Sequence, residues 1–230
     1  IPSQRSAILL LNRSILSSVA KVSGGEGIRI KPVGMHTKAE WTIQMSAIYS
    51  SLTRSNLTTA YLSNGTGGEF YTRISSTAGI QVKNGRDGDD TWTQIPLQAG
   101  KWLHITYVHK DKKTTVYVNG KVQKVFENSA ITFGENSMIV VGNSGYRNDY
   151  LREIRLWDKA LTESEINDYL YLPMDPATPH LISYLPLSKE METKDLKAPA
   201  GTENVTTKAR IEYVENVKFP ADELVIVNQE

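Results

Sequence analysis

The sequence predicts an all-β fold, an antiparallel β-sandwich that carries one short helix near residues 163–171. Short runs of alternating apolar and polar residues follow one another closely, and an Asn-Gly pair joins two of them. A helical period appears late in the chain and is short. Closely spaced strands without intervening helices are typical of antiparallel sheets rather than of alternating β/α units, so a sandwich is expected.

The apolar runs predict the strands in chain order. The turn Asn119-Gly120 predicts a hairpin of type I′, because both positions need positive φ and both residues tolerate it. Trp41, Trp102 and Trp157 lie inside strand patterns and are assigned to the core, since large aromatics in such runs mostly fill sheet interfaces. Strands are predicted at residues 27–33, 39–49, 61–62, 69–74, 80–82, 101–109, 114–118, 121–125, 138–142, 151–157, 181–187 and 210–217.

The stretch from Leu151 to Leu170 changes period after Asp158. Its first part alternates, which predicts a strand with Leu151, Glu153, Arg155 and Trp157 on one face. Its second part has the period of a helix that ends before Pro173, because a residue that precedes proline avoids the helical region.

The start of this helix carries a capping box. Thr162 is the N-cap residue and Glu165 the third helical residue, while Leu161 and Ile166 occupy the positions of a hydrophobic staple. Glu163 lies in the first turn, where negative charge suits the helix dipole. Two acidic side chains are thereby given a structural role rather than a catalytic one.

Composition excludes several classes of protein. The chain has 230 residues and a formal net charge of +1, without a basic stripe, so neither a nucleic acid nor an anionic membrane is expected as partner. No apolar run is long enough for a transmembrane segment. The absence of cysteine excludes disulfides, a catalytic thiol and thiolate metal sites. The start at Ile1 rather than methionine permits an export signal that was removed before this numbering begins, but it is not evidence for one.

One domain is expected over residues 1–230. Its core spans about 28–172, residues 173–230 supply strands that complete the sandwich, and residues 1–27 form an N-terminal flank. No low-complexity linker divides the chain, although 188–209 reads as a surface loop.

Three segments carry a family resemblance: GKWLHITYVHKDKKTTVYVNGKV, MIVVGNS and LREIRLWDKALTESEI. As a set they resemble the laminin G-like, concanavalin A-like lectin and glucanase domains, over about residues 28–172. The tail is similar to the extension found in exported Bacteroidetes surface proteins. Arg152 departs from the family pattern, which usually has an aspartate there. The matching residues are Trp102, His104, Tyr117, Val118, Asn119, Gly120, Gly142, Glu153, Arg155, Trp157, Ala160, Leu161, Glu165 and Ile166.

The resemblance implies a jelly-roll sandwich of two curved sheets and does not imply one activity, since the fold hosts lectins, glycosidases and adhesion modules. Glycosidases of this fold place carboxylates at alternate positions of a strand, as Glu-x-Asp-x-Glu, and the sequence lacks that run. Glu190-Met191-Glu192 comes nearest but has no strand pattern. His104 and His109 are an odd number of residues apart and face opposite ways in a regular strand. No catalytic residue is therefore predicted.

The loop NGRDGDDTW offers the mixture of aromatic and polar groups that sugar recognition uses. Its carboxylates could also hold calcium, which takes six to eight oxygen ligands, but the spacing matches no full calcium loop. An acidic solvated turn, with Trp92 at the sandwich edge, is the alternative. The predicted ligand-binding residues are Asn84, Arg86 and Trp92, and the candidate calcium ligands are Asp87, Asp89 and Asp90.

A second loop, NSGYRNDY, joins two strands of the family pattern. Loops on a rigid scaffold are where recognition is usually placed, so Tyr146, Arg147, Asn148 and Tyr150 are also predicted to bind the ligand. The alternative is that one of the tyrosines packs structurally.

These observations favour a non-catalytic carbohydrate-binding module of an exported bacterial surface protein, with a glycan as partner and calcium as an optional cofactor. The second hypothesis is a protein-interaction or adhesion domain, which would show a contiguous exposed apolar patch. The third is a glycoside hydrolase with an unrecognised site, which would need two converging carboxylates.

Overall fold

The structure, a computed structural model, describes residues 18–25, 27–35, 38–52, 57–63, 68–84, 92–127, 131, 133–142, 146–215 and 217; in 57–61, 63, 68, 69, 84 and 146–148 the description is of the backbone alone. Within these residues the chain forms fourteen strands and one short helix, so the predicted fold class is confirmed. No helix among them is long and apolar enough to cross a lipid bilayer.

The strands pair antiparallel in two sheets. Sheet A has the order β14-β1-β11-β3-β7-β8-β9, with β12 also paired to β11, and sheet B has the order β13-β2-β10-β4-β5-β6. The helix, α1, comprises Glu163–Asp168. The strands are β1 (Ser18–Gly24), β2 (Ile28–Ile30), β3 (Trp41–Ile48), β4 (Leu57–Ser63), β5 (Gly68–Ser75), β6 (Gly79–Asn84), β7 (Trp102–Lys110), β8 (Lys113–Val118), β9 (Lys121–Glu127), β10 (Met138–Val141), β11 (Tyr146–Trp157), β12 (Leu181–Leu185), β13 (Val205–Thr207) and β14 (Arg210–Glu215).

The last three strands return to both sheets. β12 and β14 pair with β11 and β1 in sheet A, while β13 pairs with β2 in sheet B. The expected strand at 181–187 ends at Leu185, and the one at 210–217 ends at Glu215. β1 and β13 are additional strands, and β1 lies in the stretch expected to be only a flank.

The main core lies between the two sheets. Trp41 is fully buried there, and its indole stacks on His109 with ring centroids 5.0 Å apart and meets Phe70 edge-on at 5.1 Å. The Trp41 Nε1–H donates to the Ile131 carbonyl at 2.9 Å, which satisfies its one polar atom. The core assignment of Trp41 is confirmed.

A second, smaller core lies on the outer face of sheet A. α1 and the segment that follows it pack there, with Ile166 fully buried and Trp157 3% exposed. The assignment of Trp157 to a core is confirmed, although this core is not the one between the sheets. The molecule therefore has three layers in this region: sheet B, sheet A and the C-terminal segment.

The helix and hairpin motifs have the predicted local geometry. Thr162 and Glu165 form the complete capping box. The helix ends at Asp168, which is shorter than the expected 163–171, and Tyr171 already has a φ of 57°. Asn119 and Gly120 have φ values of 52° and 75°, as a type I′ turn requires.

The predicted alternation of the strand from Leu151 is wrong, because β11 contains a bulge. Arg152 pairs with Ser46 and Arg155 with Gln44, and Ser46 and Gln44 lie on the same face of β3. The two arginines are three residues apart, whereas regular alternation would place residues of one face two apart. Glu153, between them, has a φ of 56°. The pairing partners explain the bulge, since β1 pairs with the first half of β11 and β12 with the second half along the same edge.

Candidate functional site

The outer face of sheet A is largely occupied by the protein itself. Thr42, Gln44, Ser46, His104 and Thr106 on β3 and β7 point to this face and are at most 1% exposed. The C-terminal layer covers them, so a ligand has no access to this part of the face.

An ion cluster lies beneath that layer. The Glu153 carboxylate accepts a hydrogen bond from Arg155 at 2.7 Å and from the Tyr184 hydroxyl at 3.2 Å, and the Arg152 Nε lies 3.8 Å away. Arg155 also donates to the Tyr169 carbonyl at 3.2 Å, just after α1. Burial, and next the Glu153 carboxylate, raise the pKa of Tyr184 far above its ordinary value. Glu153 thus holds the layers together and is not available as a catalytic carboxylate.

The outer face of sheet B presents a different surface. Residues directly opposite one another in neighbouring strands share a face, so one line of positions crosses all six strands. This line is about 24 Å long at the usual strand spacing. We call this line the sheet B row. It consists of Lys83, Tyr71, Tyr61, Val140, Arg29 and Thr206.

Along this row Lys83, Tyr71 and Arg29 are half-buried, Val140 is buried and Thr206 is exposed. The Arg73 guanidinium lies 4.9 Å from the centroid of the Tyr71 ring, and its Nε–H donates to the Tyr71 hydroxyl at 3.2 Å. Gln81, opposite Arg73, is fully buried. Trp92 forms an isolated bridge with Gln81 and is half-buried. Tyr71, Arg73 and Trp92 therefore lie on the same face, with the buried Gln81 between Arg73 and Trp92.

The backbone of Trp92 is anchored from the other sheet. Its carbonyl accepts a hydrogen bond from the Lys124 Nζ of β9 at 3.0 Å. The bridge to Gln81 places Trp92 beside sheet B, and the Lys124 contact ties it to β9 of sheet A. From the sequence, Trp92 was expected either to bind a ligand or to cap the sandwich edge.

The other predicted residues of that first loop are only partly covered by the structure. Asn84 ends β6 opposite Phe70, a register position outside the sheet B row. Arg86 and the three candidate calcium ligands, Asp87, Asp89 and Asp90, lie outside the described residues. Within the residues that are described, no group of three or more His, Asp or Glu side chains could hold a metal ion.

The second predicted loop is mostly strand. β11 begins at Tyr146, and Tyr146 and Arg147 pair with Gly24 and Ser23 of β1. Asn148 is also a strand residue, and Tyr150 lies between Lys21 and Ile48 in sheet A. The expected loop is wrong in this part, because β1 provides backbone partners that the sequence did not reveal. Trp92 and Tyr150 therefore lie on different sheets and do not form one site.

Trp102 is not a core residue, contrary to the expectation. It pairs with Ile48 on the outer face of sheet A, is half-buried, and packs against Tyr171 together with Leu170 and Leu172. The Tyr171 hydroxyl donates to the Trp102 carbonyl at 3.2 Å. Trp102 and His104 are two residues apart in β7, so they face the same side of the sheet, away from the main core. This spacing was the signal in the sequence that could have placed Trp102 correctly.

The two histidines of β7 face opposite ways, as predicted. His104 lies under the C-terminal layer, and burial together with Arg155 lowers its pKa to about 3. His109 faces the main core, where its Nε2 accepts from the Ile131 N–H at 3.2 Å. Both imidazole rings are buried away from solvent.

Comparisons with solved structures show the same fold in proteins that act on or bind sugars. The first is a candidate carbohydrate-binding protein from Bacteroides ovatus, at 21% identity and a TM-score of 0.66, covering 86% of this chain and 60% of that one. The second is domain 4 of the extracellular arabinanase AbnA of Geobacillus stearothermophilus in complex with arabinotriose. It has 19% sequence identity and a TM-score of 0.55, and the match covers 66% of this chain and 76% of that one. The third is a Trypanosoma rangeli sialidase in complex with sialic acid. It has 13% sequence identity and a TM-score of 0.53, and the match covers 66% of this chain but only 27% of that one.

At these identities the similarity shows the fold alone. A search of curated proteins found no match. The family model described as the concanavalin A-like lectin/glucanases superfamily, of laminin G type, matches residues 23–167, which extend from β1 into α1. The chain belongs to the concanavalin A-like lectin/glucanase superfamily.

Proposed function

We propose that this domain is a non-catalytic carbohydrate-binding module that binds a glycan on the outer face of sheet B. The observation that carries the proposal is the surface formed by Tyr71, Arg73 and Trp92 on a face that α1 does not cover, whereas the corresponding face of sheet A is occupied by the C-terminal layer.

The chemistry of this surface suits a sugar. Aromatic rings pack against the apolar side of a pyranose, and a small number of polar groups fix the orientation of its hydroxyls. Tyr71 and Trp92 supply the rings, while Arg73 and Lys83 supply donors on the same face. The length of the sheet B row accommodates several sugar units that run across the strands.

Similar folds support the class of ligand. The Bacteroides ovatus protein and the arabinanase domain are both connected with carbohydrate, and the second contains arabinotriose. This chain spans 60% of the length of the Bacteroides ovatus protein. Whatever a whole protein of that length does is therefore part of the proposal.

A non-catalytic role is consistent with the positions of the described carboxylates. Glu153 is buried in the ion cluster, and Glu165 completes the capping box. Glu190 and Glu192 lie in the turns after Leu187, where burial and then the charge of Glu192 raise the pKa of Tyr213 on β14. None of these side chains belongs to the sheet B row.

A glycan array probed with the whole chain tests the proposal. Trp92→Ala and Arg73→Ala are expected to abolish or strongly weaken binding, since each removes a group of the same surface. Tyr150→Ala is the matched control on sheet A. Loss of binding only in Tyr150→Ala would place recognition on the second predicted segment and overturn the sheet B assignment.

The same array, run with calcium and then with a chelator, tests the candidate ligands Asp87, Asp89 and Asp90. If calcium organises their loop next to Trp92, the chelator is expected to weaken binding in the wild type and to have no effect in the triple Asn variant. An unchanged signal would leave calcium without a role.

We further propose an extracellular or surface location, the usual setting of laminin G-type domains.

A protein partner is the second candidate function, because of one edge of sheet A. β9 is an edge strand, and its Val122 and Val125 are 47% and 46% exposed. Exposed apolar side chains on an edge strand favour pairing with another chain. If the array is empty and Val125→Lys abolishes capture of a protein partner, this function replaces the first.

A further inference from the structure

A groove lies between α1 and the turn that precedes β12, on the side of the molecule opposite the sheet B row. It encloses about 320 Å³, at the lower end of the usual range for small-molecule sites. The groove is lined by Trp157, Lys159, Leu161, Glu165, Asp168, Tyr169, Thr178, Pro179 and His180.

The apolar base of the groove is held in place. The Trp157 Nε1–H donates to the Gln44 Oε1 at 2.8 Å, which fixes the indole beneath the groove. Leu161, Tyr169 and Trp157 belong to the second core, so their positions are set by packing and not by a ligand. Such a base offers a preformed apolar contact.

The polar walls are also fixed by internal bonds. On one side, Glu165 is held by Lys159 and by the backbone N–H of Thr162, the latter at 2.9 Å. On the other side, His180 bonds to Asp158 at 2.9 Å. Glu165 and His180 are therefore oriented before any ligand arrives.

The charges of the walls indicate which ligand fits. A cation would meet the Lys159 ammonium, and an anion would meet the carboxylates of Glu165 and Asp168. A hydroxyl both donates and accepts, so a neutral polyhydroxylated molecule can bond to the ammonium and to the carboxylates at once. Its C–H side can contact Tyr169, Leu161 and the ring of Pro179.

We propose that this groove is a second binding site, for a single neutral sugar unit. The inference shares only its class of ligand with the proposed function, since none of its residues belongs to sheet B. A domain with two sites on opposite sides could hold two branches or two chains of a polysaccharide, which raises the overall affinity.

The test is an NMR titration of the whole ¹⁵N-labelled chain with methyl glycosides of glucose, galactose and mannose and with arabinose. At least one sugar is expected to shift the amides of residues 157–169 and 178–180. Asp168→Asn is expected to weaken that binding roughly tenfold, the effect of losing one charge-assisted hydrogen bond. Glu163→Gln, on the same helix but outside the groove, loses the same charge and is expected to change nothing.

A second variant tests the cavity without changing charge. Thr178→Tyr places a ring in the groove and is expected to abolish the amide shifts while the protein stays folded. Persistence of the shifts in both Asp168→Asn and Thr178→Tyr would overturn the proposal.

Combination with Trp92→Ala separates the two sites. If Trp92→Ala abolishes all sugar binding and Asp168→Asn has no effect, the groove proposal fails and the proposed function stands. If the groove amides still respond in Trp92→Ala, the groove binds independently. A wild-type chain that binds none of these sugars overturns the groove, while the glycan array still decides the sheet B site.

Discussion

His104 shows how one buried side chain makes stability depend on pH. Its ring is fully buried beside Tyr171, with centroids 5.7 Å apart, and burial followed by Arg155 lowers its pKa from 6.5 to about 3. Its Nε2 has no hydrogen-bond partner among the described residues. The folded state therefore requires the neutral imidazole, whereas the unfolded chain binds a proton near pH 6.5.

We expect the free energy of unfolding to fall as the pH is lowered from 6.5 towards 3. The pKa of His104 is lower in the folded state than in the unfolded state. Its contribution to the free energy of unfolding is therefore complete above pH 6.5, and between pH 6.5 and 3 it decreases by about 1.4 kcal/mol for each pH unit. Urea unfolding of His104→Gln between pH 7 and pH 4 should show a smaller slope.

His109 adds to the same trend, because burial lowers its pKa as well. The Ile131 N–H donates to its Nε2, so that nitrogen must be unprotonated in the folded state. If the slope in His104→Gln equals that of the wild type, the prediction for His104 is wrong and the acid sensitivity belongs to His109 or to carboxylates.

The contact between the β8–β9 hairpin and α1 is the clearest coupling between elements. The Asn167 Nδ2 donates to the Gly120 carbonyl at 3.0 Å and to the Glu163 carbonyl at 2.8 Å. A Cβ on Gly120 would lie 2.1 Å from the Asn167 Oδ1. The glycine is thus required by the turn and also by the helix that rests on it.

We expect Gly120→Ala to destabilise the protein by about 2 kcal/mol. About half is the cost of positive φ for alanine, and the rest is the loss of the Asn167 hydrogen bonds. Gly100→Ala isolates the first part, since Gly100 has a φ of 72° with no atom within 4 Å of the added Cβ. Urea unfolding measures both, and the additional loss should vanish when Gly120→Ala is made in Asn167→Ala. Equal losses for the two glycines would contradict the coupling.

The capping box is a second element-scale feature. Burial alone would raise the pKa of Glu165, but hydrogen bonds from Lys159 and Thr162 lower it below its ordinary value. The stabilisation by this carboxylate is therefore present above its unfolded pKa and is lost as the pH falls through the folded one.

Thr162→Ala is expected to cost about 1 kcal/mol and to loosen Glu165 in the groove. Thermal unfolding measures the cost, with the exposed Ser164→Ala as control. A variant as stable as the control would show that packing of Leu161 and Ile166 defines the helix start without the cap.

At the scale of the whole molecule, the ion cluster joins sheet A to the C-terminal layer. Two arginines and one glutamate, all fully buried, meet at the bulge of β11, and Arg155 reaches the carbonyls of Tyr169 and Leu172. Breaking such a group by removing one partner leaves buried charge uncompensated.

Glu153→Gln is expected to destabilise the protein by about 3 to 5 kcal/mol, because it removes the carboxylate that bonds the buried Arg155 guanidinium. Denaturant unfolding of the whole chain measures this, with Glu163→Gln on the exposed surface as control. A loss below about 1 kcal/mol would mean that carbonyl groups and water compensate the arginines without Glu153.

Features that depend on a few neighbouring residues could be predicted from the sequence. The capping box of Thr162 and Glu165 and the type I′ turn at Asn119-Gly120 are decided by local backbone geometry, and the burial of Trp41 by a strong apolar pattern. Pattern and family resemblance together identified the sandwich.

Only the tertiary structure decided which face each residue occupies and which residues meet. β1 and β13 are stabilised by pairing with β11, β14 and β2, so their own sequences carry little signal. The bulge at Glu153 arises because two strands share one edge of β11, and Trp102 faces outward because β7 turns its even positions away from sheet B. Trp92 and Tyr150 belong to different sheets because strand order, a property of distant hydrogen bonds, determines what becomes a surface.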